Sequence, residues 1–97
     1  MAENKVTAAD ILISGAEIID QRGKQRDKPN GERSMSLTVK MFNARYGTDL
    51  TEAQGWAFMG CLKHARMAAG KFNEDDYLDA VAYEALHAEC VINAQKA

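Results

Sequence analysis

Leu62-Lys-His-Ala-Arg-Met-Ala-Ala-Gly-Lys-Phe-Asn-Glu-Asp-Asp-Tyr-Leu-Asp-Ala-Val-Ala-Tyr83 is the stretch that decides the fold. It reads as the end of one helix, a short turn over Gly70–Asn73, and the start of another helix. Lys63 and Arg66 stand three residues apart before the turn and share a helix face; Asp76 and Asp79 do the same after it. Folding the helices back antiparallel about residue 71 or 72 brings Arg66 level with Asp76 or Tyr77. It also brings Lys63 level with Asp79 or Ala80. Two cations are then expected to meet two carboxylates across a helical hairpin.

Upstream, Thr51 caps the first of these helices, with Gln54 at the capping-box position. Trp56, Ala57, Phe58, Met59, Cys61 and Leu62 are apolar around most of its circumference, the pattern of a helix at the centre of a bundle. Gly55 and Gly60 each cost it about 1 kcal/mol relative to alanine, and fit where another helix or a ligand comes close. Downstream, Asn73 caps the last helix, and Glu74, Asp75 and Asp76 fill its positively polarised first turn. Leu78, Val81, Ala82, Ala85, Leu86 and Ile92 form its inner face.

The N-terminal half continues the helical pattern. Thr7 and Asp10 make a capping box with aspartate in the usual Glu/Gln place. Ala8, Ile11, Leu12, Gly15, Ile18 and Ile19 then recur at helical spacing to about Arg22, with Gly23 as the stop. A second helix opens near Ser34 or Ser36. Its stripe is Met35, Val39, Phe42 and Tyr46, and it closes at Gly47. Between them, Pro29-Asn30-Gly31 signals a turn. The expected architecture is all-α: a compact four-helix bundle near 8–22, 34–46, 52–69 and 74–94, in a single domain over 1–97 with a basic loop at 23–33.

Size and charge narrow the function. The 97 residues carry 27% charged side chains and a net charge of -2, with no basic stripe, so direct binding to DNA is not expected. The charge is uneven. Arg22, Lys24, Arg26, Lys28 and Arg33 outnumber Asp27 and Glu32 for a net +3, while six acids from Glu74 onward face only Lys96 for a net -5. The basic loop can pair with the acidic helix, with a neighbouring subunit, or with a phosphate. No apolar run has the roughly 18 residues of a membrane span, and no signal-peptide pattern opens the chain, which predicts a cytoplasmic protein. Cys61 and Cys90 sit in helical patterns as small apolar residues, and His64 and His87 share no zinc-ligand spacing.

Two readings of Lys63, Arg66, Asp76 and Asp79 follow. In one they are an ion-pair cluster that locks the hairpin. In the other they line a polar pocket where Lys63 and Arg66 grip phosphate and the carboxylates orient a sugar or hold magnesium. Tyr83, one turn beyond Asp79, either completes the core or stacks on a base. Arg22 and Arg26 of the basic loop extend the candidate ligand-binding set. No catalytic residue is assigned. No nucleophile elbow, phosphate-binding glycine loop or catalytic triad is present.

The run Lys63-x-x-Arg66-x-x-x-Gly70 followed by Asp76-x-x-Asp79-x-x-x-Tyr83 resembles the C-terminal half of a family of small phage and prophage proteins, a domain of unknown function. That family opens with Arg-Gly-x-x-Tyr-Gly-x-Pro after its first helix. Here Arg22, Gly23 and Pro29 match, and Arg26-Asp27 replace Tyr-Gly. The similarity runs from about Ile11 to Glu89. It implies an all-helical phage protein acting in the host cytoplasm, near nucleotide metabolism. The hairpin is also distantly similar to the MazG-like all-α nucleotide pyrophosphatases, whose Glu-x-x-Glu and Glu-x-x-Asp motifs hold magnesium. Lys63 and Arg66 stand where the first of these is needed, so no turnover of nucleoside triphosphates is expected.

Three functions therefore compete. The first is a module that binds or sequesters a phosphate-bearing nucleotide or nucleotide signal, with magnesium as an optional companion rather than a resident cofactor. The second is a phage inhibitor of a host defence protein, acting through its acidic last helix. The third is a degenerate or active magnesium-dependent pyrophosphatase. A homo-oligomer is expected in each case, because four apolar helix faces exceed what one small core can use.

Overall fold

Threonine caps and a glycine stop mark out the helices where the sequence places them. A computed structural model describes residues 5–27, 29 and 33–96, and contains four helices and, among those residues, no strand: α1 (Ala8–Arg26), α2 (Ser34–Tyr46), α3 (Glu52–Ala69) and α4 (Glu74–Lys96). The expected all-α fold is the fold observed.

At the start of α1 the Thr7 hydroxyl accepts from the Asp10 N–H at 3.1 Å, and Asp10 accepts from the Thr7 N–H at 3.0 Å. Aspartate, though one methylene short of glutamate, closes the box. The Thr7 backbone N–H, and after it the Thr7 hydroxyl, holds the Asp10 carboxyl below its ordinary range, since a hydrogen bond to the carboxylate favours its charged form. Thr51 and Gln54 repeat the arrangement at α3. At α4 the Asn73 side chain accepts from the Asp75 N–H at 3.0 Å. Gly47 ends α2 in the left-handed region at φ 67, which a residue with a Cβ adopts only at a cost.

Several boundaries and faces differ from expectation. α1 runs past Gly23 to Arg26, so residues 23–26 of the expected loop are helical. A glycine costs a helix only about 1 kcal/mol, and the Asp27 N–H caps the last turn by donating to the Gly23 carbonyl. The Pro29-Asn30-Gly31 turn, apart from exposed Pro29, lies outside the described residues, as do Lys28 and Glu32. α3 is not a buried centre: within it only Gly55 is fully buried, while Phe58 and Leu62 face outward. Ile92 and Ala85, expected on the inner face of α4, are exposed, as are Leu12 of the expected α1 stripe and Phe42 and Tyr46 of the α2 stripe. α4 has 23 residues against 18 in α3, so its last turns outrun their partner.

The short Gly70–Asn73 connection makes α3 and α4 antiparallel neighbours, and this hairpin is the most extensively packed part of the molecule. α1 lies along α4, where Gly15 brings the two backbones together; a Cβ there would sit 3.1 Å from Val81 Cγ1. α2 packs chiefly on α3, where Gly55 receives Met35 and Val39. The 47–51 connection is tied down by Asn43, whose side chain accepts from the Leu50 N–H and donates to the Leu50 carbonyl, both at 2.9 Å. Among the described residues the apolar core is small: Met35, Val39, Ala82 and Leu86, with no large side chain fully enclosed.

Candidate functional site

The hairpin brings Lys63 of α3 between the two aspartates of α4. Lys63 Nζ lies 2.9 Å from Asp79 Oδ2 and 3.9 Å from Asp76 Oδ1. All three side chains are close to nine-tenths buried, with exposures of 11%, 8% and 10% for Lys63, Asp79 and Asp76. The other Asp79 oxygen accepts from Arg22 Nη2 at 3.3 Å, and Arg22 is 56% exposed. Asp79 is thus held from both sides, by an ammonium inside and a guanidinium at the surface.

The second cation of the cluster is therefore Arg22 of α1, not Arg66. Among the described residues Arg66 forms no ion pair. It stands at the rim of a shallow surface depression with Lys71, Asn73 and Asp76. Three residues advance a helix by about 300°, so Arg66 is rotated some 60° from Lys63 and sits one turn nearer the bend. The helix periodicity placed Lys63 correctly but could not show that α1 would reach Asp79 across 57 residues.

Arg22, Arg26 and Arg33 line one cleft beside α1 and α4. Its apolar lining includes Ile18, Trp56, Tyr83 and Leu86. Tyr83 stacks on Trp56 with ring centroids 6.0 Å apart, so it serves the core while its edge borders the cleft. Arg33, not singled out from the sequence, pairs with Glu89 and lies 3.8 Å from Asp27. The basic segment and the acidic helix thus pair with each other within one chain, at Arg22–Asp79 and Arg33–Glu89. The signal for Arg33 was its place at the end of a cation-rich segment. What hid it was that its partner lies 56 residues away.

Magnesium does not fit between Asp76 and Asp79. The Lys63 ammonium already stands between these carboxylates, and among the described residues no three Asp, Glu, His or Cys side chains converge.

Cys61 is exposed and Cys90 half-buried; both are free thiols. Burial pushes the Cys90 thiol up, and the nearby Glu52 and Glu89 carboxylates add to the effect. A raised thiol pKa means less thiolate at neutral pH. In alkylation assays at pH 7–8, the lone Cys90 of a Cys61→Ser variant is expected to react more slowly than the lone Cys61 of Cys90→Ser. Equal rates would show that Cys90 is not shielded.

An all-α protein built on an antiparallel hairpin, with a buried aspartate–lysine–aspartate cluster and an arginine-edged cleft beside it, is the class these features define. The chain belongs to the DUF6378 family, a domain of unknown function, which it matches over residues 10–91. No curated protein and no solved structure matches it. Among the described residues no helix is long and apolar enough to cross a membrane.

Proposed function

We propose that this chain binds a phosphate-bearing nucleotide or nucleotide signal, in the cytoplasm of a phage-infected host, at the cleft between α1 and α4. The observation that supports this most is Arg22. Buried Asp79 accepts from its guanidinium, and together with Arg26 it lines a cleft that Trp56 and Tyr83, stacked on each other, also line. Guanidinium groups recognise phosphate through paired hydrogen bonds, and an aromatic lining suits a sugar or a base. The cleft holds about 180 Å³, below the ~300 Å³ at which ligand pockets usually begin. It admits the phosphate and sugar end, leaving the base along the surface. Lys63 is committed to the aspartates, and Arg66 lies outside the cleft; neither contacts a ligand bound there.

Thermal unfolding with nucleoside triphosphates and cyclic dinucleotides, using the matching nucleosides as phosphate-free controls, tests this. A ligand at a hundredfold excess over its dissociation constant adds about 2.7 kcal/mol. The phosphate-bearing compounds are expected to raise the melting temperature and the nucleosides to leave it unchanged. Arg26→Ala, at an exposed position, is expected to abolish the shift without altering the free protein. No shift with any nucleotide, together with a stoichiometric protein partner from bacterial lysate, would sink this reading in favour of an inhibitor of a host protein. Glu74, Asp75 and Glu84, all exposed on α4, support that second reading.

A further inference from the structure

Two apolar stripes cross in this fold, and beyond the crossing both run on bare. On α2 the stripe is Met35, Val39, Phe42 and Tyr46, spaced four, three and four residues apart. On α3 it is Gly55, Phe58 and Leu62, spaced three and four apart, again on one face. The stripes meet where Gly55 receives Met35 and Val39. Past that point Tyr46 is 63% exposed, Phe58 75%, and Phe42 and Leu62 are exposed as well. Phe42 and Tyr46 meet each other as tilted rings, with centroids 4.8 Å apart.

We infer that a second copy of this chain covers this face, so that Phe42 and Tyr46 of one copy pack on Phe58 and Leu62 of the other, and reciprocally. Surface area carries the inference. The chain exposes 7567 Å², whereas a folded monomer of 10.7 kDa exposes about 5,500 Å². The excess of about 2,000 Å² per chain, shared between this face and other bare apolar positions such as Leu12, Ile13 and Phe72, is large enough to contain the roughly 1,000–2,500 Å² that one protomer of an obligate dimer buries. Shape agrees: the radius of gyration is 15.4 Å, against about 12.5 Å for a compact domain of 97 residues. The occupant is a copy rather than another partner because the uncovered face continues the domain's own core. Whatever covers it must be present whenever the chain folds, and only the chain itself always is. The stripe residues themselves are uncharged, and the Arg45 guanidinium beside them lies over the Tyr46 ring, 5.9 Å from its centroid, so an isologous contact about a two-fold axis is built from Phe42, Phe58 and Leu62.

Sedimentation equilibrium of the full chain at tens of micromolar is expected to give twice 10.7 kDa. Phe58→Glu is expected to weaken the dimer by roughly thirtyfold, as loss of an interface hot spot does. Leu12→Glu, at an equally bare position on α1 away from both stripes, is expected to leave the dimer intact. A wild-type monomer with full helical circular dichroism overturns the inference. So does a dimer that survives Phe58→Glu and Tyr46→Glu together. If Phe58→Glu loses its helix content altogether, a mixture of Phe58→Asp and Phe42→Lys chains decides. Recovery of helix and dimer mass only in the mixture places Phe42 of one copy against Phe58 of the other; no recovery overturns that contact.

Discussion

Lys63→Ala is expected to destabilise the fold by about 3–5 kcal/mol, the cost of removing one partner from a buried ion pair. The alanine leaves Asp76 and Asp79 facing one another with their shared cation gone, both still about nine-tenths buried. For a domain of this size each kcal/mol lowers the melting temperature by about 4–8 °C, so the variant should melt tens of degrees early or fail to fold. Arg22→Ala removes the other cation from the same aspartate, yet should cost only about 1 kcal/mol or less. Its guanidinium is 56% exposed and 3.3 Å away, in the range of surface pairs. Arg66→Ala should be near neutral. Thermal and denaturant unfolding of the three variants at one protomer concentration checks the ranking. Equal losses from Lys63→Ala and Arg66→Ala would mean that the buried cluster does not hold the hairpin.

Gly55→Ala is expected to lose about 1–2 kcal/mol, although alanine is the better helix former. A Cβ at Gly55 would stand 2.4 Å from Met35 Sδ and 2.8 Å from Val39 Cγ1. Methionine can swing aside, but β-branched Val39 has essentially one rotamer on a helix, so α2 itself must shift. Such overpacking costs about 1–3 kcal/mol, more than the ~1 kcal/mol that helix propensity returns. Gly60→Ala is the control on the same helix. A Cβ at Gly60 meets nothing within 4 Å, so the substitution should stabilise by about 0.5–1 kcal/mol. Urea midpoints for the pair, at unchanged m-value, should move in opposite directions.

Local chemistry was legible in the sequence, and long-range geometry was not. Thr7 with Asp10, Thr51 with Gln54, Asn73 and Gly47 act within a few residues of themselves, so their spacing alone gave the helix starts and the end of α2. The meeting of Lys63 with Asp79 was also readable, because a four-residue connection leaves the two helices little freedom; the expected pairing of Arg66 with Asp76 is instead made by Lys63 at 3.9 Å. Arg22 on Asp79 and Arg33 on Glu89 depend on how α1 lies along α4, which no periodicity encodes. The apolar circumference of α3 was read as burial inside one chain; Phe58 and Leu62 instead face out, since a sequence does not say whose side chains will cover a face. Asn43 escaped notice for a plainer reason: an asparagine inside a helix gives no sign that it will clamp the loop beyond.

The two helices that hold the Arg22–Asp79 pair lie at opposite ends of the chain, and this has a consequence for synthesis. α1 packs on α4 and makes no comparable contact with α2 or α3. A ribosome adding about 5–20 residues per second needs roughly 3–11 s to make the 57 residues that separate Arg22 from Asp79. For that interval the nascent α1 has nowhere to dock, and Ile11, Ile18 and Ile19, half-buried in the finished fold, remain uncovered. The α3–α4 hairpin, whose halves are joined by four residues, can close as soon as it leaves the exit tunnel. The first helix made is then the last to find its place, and nascent chains halted between α3 and α4 should engage hydrophobic-segment chaperones that the finished protein does not.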